Sequence, residues 1–165
     1  MGAVPSFADL FHFCSEYSEQ FIRKEILFLL MAFMKWTDDL SVGVREIDDQ
    51  HQKLVSLIND LHDAMRDKRG KDVLGKVLTD LAAYTEYHFS TEEKYMQKFG
   101  YAEFDAHRSE HQAFVAKVGE FKKGFDEGKL GLSIQVMSFL RDWVANHIKG
   151  SDKRYTDFFR EHGLS

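Results

Sequence analysis

After Pro5, the remaining 160 residues of this 165-residue chain contain no proline. Proline lacks a backbone N–H and clashes with the preceding helical turn, so its absence favours long helices. The length suits one domain with a buried core and leaves little room for a second. At 44% hydrophobic and 30% charged the chain is globular in character rather than disordered. A net charge of −5 with no basic block argues against nucleic acid or an anionic membrane as partner. The single cysteine, Cys14, excludes an internal disulfide and any cysteine-based zinc or iron–sulfur site, and it fits a reducing, cytoplasmic setting.

The longest apolar run, Ile26 to Met34, is nine residues, too short for a bilayer span of roughly 20. In front of it, Phe7, Leu10, Phe11, Cys14, Tyr17, Phe21 and Phe28 recur at helical spacing, so residues 1–30 are expected to form an amphipathic extension. Lys35 to Ile47 has no helical stripe and reads as an extended arm. Four amphipathic stretches follow, each ended by glycine: Asp49 to Arg69 with Asp48 as N-cap and Gly70 as stop, Asp72 to Phe99, Phe104 to Glu127, and Ser133 to Lys149 with Gly150 as stop. Short connections make consecutive helices antiparallel neighbours. The expected fold is all-α, an up-down-up-down four-helix bundle over residues 31–165.

The histidines decide what such a bundle holds. His88 and Glu92 are four residues apart, as are His107 and His111, so each pair projects from one side of its helix. Both pairs lie on the inward apolar stripe, as do His51 near the start of the first helix and His147 near the end of the fourth. Antiparallel packing brings all of these to one end of the core. Asp152, five residues beyond His147, would face ~140° away on an ideal helix. The helix is therefore expected to end at Gly150, with the chain turning Asp152 back inward.

A single histidine on an apolar face is usually an ordinary core residue. Five imidazoles and two carboxylates together would cost several kcal/mol per unpaired group without a counter-charge. No Lys or Arg falls on the inward level, so a bound cation is the natural partner. Nitrogen and oxygen donors without thiolate suit iron, manganese, zinc or cobalt. Seven donors are too many for one ion. Two octahedral ions offer about twelve positions; the seven side chains with bridging carboxylates fill nine and a solvent bridge two more, which leaves one for a small ligand.

The segments Ile47-Asp48-Asp49-Gln50-His51, His88-Phe89-Ser90-Thr91-Glu92, His107-Arg108-Ser109-Glu110-His111 and His147-Ile148-Lys149-Gly150-Ser151-Asp152 together resemble the signature of the hemerythrin family, and Met31 to Trp36 resembles the start of its single-domain bacterial type. The resemblance spans residues 31–165. It implies a non-haem di-iron centre, oxo- or hydroxo-bridged, that binds O2 reversibly for storage, transport or delivery to an oxygen-consuming enzyme. By the same resemblance His107, His111 and His147 hold one iron, His51 and His88 the other, and Glu92 and Asp152 bridge them. Residues one turn from these ligands are pocket candidates: Leu54, Val55, Tyr84, Phe114, Val115 and Trp143. His62 is on the face of His51 but eleven residues on, about 16 Å along a helix and too far to join the centre. His12 and His162 have no partner at ligand spacing, and Glu93 is expected to be solvated. The extension 1–30 departs from the family pattern.

Two other functions compete with an oxygen carrier. A di-iron oxidase or peroxidase of the ferritin-like kind would use Glu-x-x-His on two helices, and that sequence occurs nowhere in the chain. A sensor of O2, NO or iron would be expected to carry a signalling domain, for which 30 residues are too few. The expectation is an oxygen-binding protein rather than an enzyme, and a monomer.

Overall fold

The computed structural model describes residues 33–165. The expected amphipathic extension 1–30 lies outside the described residues. Within them every regular element is helical: a short 3-10 turn at Asp38–Leu40, then α1 (Arg45–Arg66), α2 (Gly70–Phe99), α3 (Phe104–Asp126), α4 (Leu132–Asn146), a π-helical turn at His147–Asp152, and α5 (Lys153–Glu161). α2 packs against α1 and α3, and α4 closes the bundle against α1 and α3. This is the antiparallel four-helix bundle the periodicity predicts.

The stripes read from sequence are the faces that meet. Leu54, Ile58 and Leu61 of α1, Leu74, Leu78 and Leu81 of α2, Phe114 and Val118 of α3, and Val136, Leu140 and Val144 of α4 are buried. Each fully buried aliphatic side chain contributes about 1.5–3 kcal/mol relative to exposure. This apolar body fills the bundle below the histidine-bearing end and holds the four helices in register.

Several boundaries differ from expectation. α1 begins at Arg45 rather than Asp49, and Asp48 is not its N-cap. The Asp48 carboxylate instead accepts hydrogen bonds from Ser41 Oγ at 2.6 Å and the Val42 N–H at 2.7 Å, which ties the preceding arm to the first turn. Gly70 does not stop α1. Lys68 takes the left-handed conformation (φ 60°) and the Arg69 N–H returns to the Ala64 carbonyl, while Gly70 starts α2. Glycine is needed there for space: a Cβ would sit 2.6 Å from Met65 Cγ. At Gly100 the expectation holds, because its φ of 77° lets two N–H groups, its own and that of Tyr101, reach the Met96 carbonyl.

The arm is less extended than expected. Leu40, Val42 and Val44 are buried, the Met34 N–H donates to Asn59 Oδ1, and Lys149 and Lys153 bind Asp39 and the Ser41 carbonyl. The two lysine contacts fasten the arm to the end of the bundle that carries the histidines, and Asn59 fastens it farther along α1.

The largest correction is at the end of the fourth helix. Gly150 does not terminate it. The chain winds more widely, so that the Lys153 N–H bonds the Ile148 carbonyl five residues back, and then continues as α5. The wider π winding brings residue i+5 to nearly the same side as residue i. His147 and Asp152 therefore share a face without any break in the helix.

Candidate metal centre

Among the described residues, the buried polar and charged side chains include His51, His88, Glu92, His107, His111, His147 and Asp152, and no lysine or arginine. α1 contributes His51 and α2 His88 and Glu92, while α3 gives His107 and His111 and the π turn His147 and Asp152. All seven sequence-derived candidates meet at one level of the core.

They meet in two groups joined by carboxylates. Glu92 Oε1 lies 3.8 Å from both His51 Nε2 and His88 Nε2, whereas Oε2 lies 3.4 Å from His107 Nε2 and 3.2 Å from His111 Nε2. Asp152 divides in the same way: Oδ2 is 3.2 Å from His51 Nε2, and Oδ1 is 3.1 Å from His147 Nε2 and 3.5 Å from His107 Nε2. Ligand atoms of Glu92, His107, His111 and His147 lie within 4.8 Å of one another, and so do those of His51, His88 and Glu92.

The hydrogen bonding around this cluster tests whether a metal fits. His111 Nδ1 donates to Glu93 Oε1 at 3.0 Å, and His147 Nδ1 donates to Glu110 Oε2 at 2.7 Å. In the neutral imidazoles both Nε2 atoms then carry lone pairs, yet they face each other at 3.2 Å. Two lone pairs at that distance need a shared proton or a cation between them. His51 Nε2 and both Asp152 oxygens are buried and make no hydrogen bond. Donors about 2.1 Å from an ion and at right angles lie ~3 Å apart, close to the spacings seen here. The residues fit bound metal.

The side chains that orient these imidazoles are mostly ones the sequence reading missed. His88 Nδ1 donates to the buried Gln50 Oε1 at 2.9 Å. Glu93, expected to be solvated, is only 22% exposed and holds His111. Glu110 accepts from Ser151 Oγ at 2.5 Å as well as from His147. Tyr155, fully buried, donates to Glu92 Oε1. Phe89 stacks on His111 (centroids 3.8 Å apart, 8° between planes), and Trp143 stacks on His147 (4.2 Å, 18°).

Of the pocket candidates, Leu54 and Val55 are buried, and Phe114 packs against Trp143 and Phe89. Val115 is 52% exposed and lines an open hollow outside α2 and α3, so it is no part of a closed pocket. Tyr84 lies in an exterior hollow with Lys53 and Tyr87. His62 is buried in α1 beside Asp63, away from the cluster, and His162 bonds the Phe158 carbonyl at an exposed site.

Without metal the cluster is strained in its protonation. Burial pushes His88 down to about 4. Burial also lowers His147, but Asp152, Glu92 and Glu110 outweigh it and lift the imidazole to about 9. Burial and Glu92 act to raise Asp152, yet His147 and His51 hold it at about 2. A histidine with a lowered folded-state value loses stability as pH falls from its ordinary 6.5 towards about 4. One with a raised value loses stability as pH rises from 6.5 through about 9. Each shift corresponds to about 3 kcal/mol. The metal-free protein is therefore expected to be most stable near pH 6.5, with melting temperature falling on both sides. Thermal unfolding between pH 4 and 9 checks this, and a melting temperature that rises steadily with pH would contradict it.

The hemerythrin HHE cation-binding domain family matches residues 42–158. The chain belongs to the hemerythrin family. It is 38% identical over 126 residues to the bacteriohemerythrin of Methylococcus capsulatus, covering 76% of this chain and 95% of that one. It is 34% identical over 132 residues to the bacteriohemerythrin of Stenotrophomonas maltophilia, covering 80% and 85% respectively. A wild-type hemerythrin crystal structure superposes with a TM-score of 0.71 at 37% identity, covering 76% of this chain and 97% of that one. No helix among the described residues is long and apolar enough to cross a membrane. The hemerythrin resemblance read from four sequence segments is thus borne out across the domain.

Proposed function

We propose that this chain holds two iron ions through His51, His88, Glu92, His107, His111, His147 and Asp152 and uses them to bind O2 reversibly, for storage or for delivery to an oxygen-consuming enzyme. The observation that carries this reading is the division of Glu92 and Asp152, each with one oxygen towards His51 and the other towards the His107, His111 and His147 group. Carboxylates divided in this way would be shared between the two ions. When bound, a pair of irons supplies the reversible electron exchange that O2 binding needs. The functional unit is residues 31–165, and the family match over 42–158 supports that extent.

The side chains of this chain do the rest. Glu93, Glu110 and Gln50 fix three imidazoles by their Nδ1 atoms and aim each Nε2 inward. Ligation requires neutral imidazole, so metal uptake displaces the proton that His147 otherwise keeps. Tyr155 stays neutral, because burial and its carboxylate neighbours push its hydroxyl well above the ordinary range, and it remains a donor to Glu92. Phe89, Phe114 and Trp143 form an apolar wall on one side of the cluster that limits water.

Oxygen uptake by the reduced, iron-loaded chain tests the reading. The expected result is a spectral change on exposure to O2 that argon reverses over repeated cycles. Irreversible conversion with release of peroxide would favour the oxidase reading instead.

A further inference from the structure

The imidazoles of the two groups are backed differently. In the His107, His111 and His147 group, His111 donates to Glu93 at 3.0 Å and His147 to Glu110 at 2.7 Å. Each carboxylate also has a half-exposed arginine nearby: Arg108 Nε is 3.6 Å from Glu93 Oε2, and an Arg154 guanidinium nitrogen is 3.7 Å from Glu110 Oε1. In the other group His88 donates to the neutral amide of Gln50. One imidazole of each group, His107 and His51, has a buried Nδ1 with no hydrogen-bond partner, so the two groups differ in the carboxylates behind His111 and His147. The three backing groups come from different helices than the imidazoles they serve: Glu93 of α2 holds α3, Glu110 of α3 holds the π turn, and Gln50 of α1 holds α2.

A carboxylate behind an imidazole draws its N–H proton and makes the opposite nitrogen a stronger donor to a cation, whereas an amide does so weakly. We propose that Glu93 and Glu110 make the His107/His111/His147 position the tight metal site, filled first and emptied last, and that Gln50 leaves the His51/His88 position the weaker, exchangeable one. This rests on the two-metal reading above. It goes further by assigning the inequality to three positioning residues that touch no metal. Three imidazoles against two already favour the first position, so the contribution of the backing groups shows only when they alone are changed.

Calorimetric titration of the metal-free full chain with cobalt(II), with visible absorption of the bound ion followed in parallel, reads the two positions as separate steps. The wild type is expected to bind one ion tightly and a second more weakly. Glu93→Gln and Glu110→Gln should each weaken the first step by about 10–100-fold and leave the second within a few-fold. Gln50→Glu should strengthen the second step by about tenfold without weakening the first, a gain that damaged folding does not produce. Two equal steps in the wild type would overturn the proposal while leaving two-metal binding intact. So would glutamine variants that leave the first step unchanged, or a Gln50→Glu variant that leaves the second step where it was. Absence of any cobalt binding by the wild type would remove the two-metal reading and this proposal together.

Discussion

Glu92→Ala is expected to release both metals and to leave a bundle that melts well below the wild type. Its two oxygens face four imidazoles, His51 and His88 on one side and His107 and His111 on the other, so no other single side chain serves both groups as widely. Burial acts to raise the Glu92 carboxyl, but His88, His107 and His111 together hold it well below the ordinary carboxylate range. The metal-free cluster thus already relies on its negative charge. Removing it takes the carboxylate from His88, leaves His51 and His107 with Asp152 alone and His111 with Glu93 alone, and strips the Tyr155 hydroxyl of its acceptor. Breaking a buried ionic contact by deleting one partner costs about 3–5 kcal/mol, on the order of 10 °C in melting temperature for a chain of this size. Metal analysis and thermal unfolding of the same preparation check both halves. A Glu92→Ala protein that keeps a full complement of metal would contradict the bridging assignment.

His147→Ala separates a ligand from a merely buried histidine when set beside His62→Ala. Both residues are buried, at 4% and 6% exposed. Only His147 faces Asp152 Oδ1, at 3.1 Å, and the lone pair of His111 Nε2, at 3.2 Å. Losing its imidazole removes a proposed ligand and the main partner of Asp152, so metal content should fall to at most half of wild type. The metal-free variant should also lose the alkaline limb of its stability profile, because the group responsible for it is gone. His62→Ala removes a core side chain from α1 and is expected to lower stability by about 1–3 kcal/mol with metal content unchanged. Equal metal in the two variants would contradict the placement of the centre.

The four helices were legible because α1 to α4 carry apolar stripes of helical period, and the absence of proline leaves those stripes uninterrupted. The pairs His88/Glu92 and His107/His111 were legible for the same reason, since a spacing of four places both members on one face. Asp152 was identified with a faulty reason. A five-residue spacing conflicts with α geometry, and the π turn that resolves the conflict has no signature in HIKGSD that periodicity can read. Gly150 and Gly70 misled in a common way, because each was read as a stop where the backbone carries on or starts a helix.

The groups that hold the imidazoles were hidden by a different feature. Gln50 precedes His51, Glu93 follows Glu92, and Glu110 precedes His111, so each is the sequence neighbour of a cluster residue yet serves an imidazole on another element. One residue along a helix turns the side chain by about 100°, away from the core stripe and towards the adjoining helix. A one-helix stripe analysis assigns such a position to solvent, as it did for Glu93. Pairing the flanks of neighbouring helices would have recovered all three.

Iron analysis of the purified full chain, together with its absorption spectrum, decides whether the buried cluster is a di-iron centre. The account predicts two irons per chain, near-ultraviolet bands of a bridged ferric pair, and a marked drop in melting temperature when the metal is chelated away. A colourless protein that carries no metal and melts at the same temperature with or without added iron would contradict it.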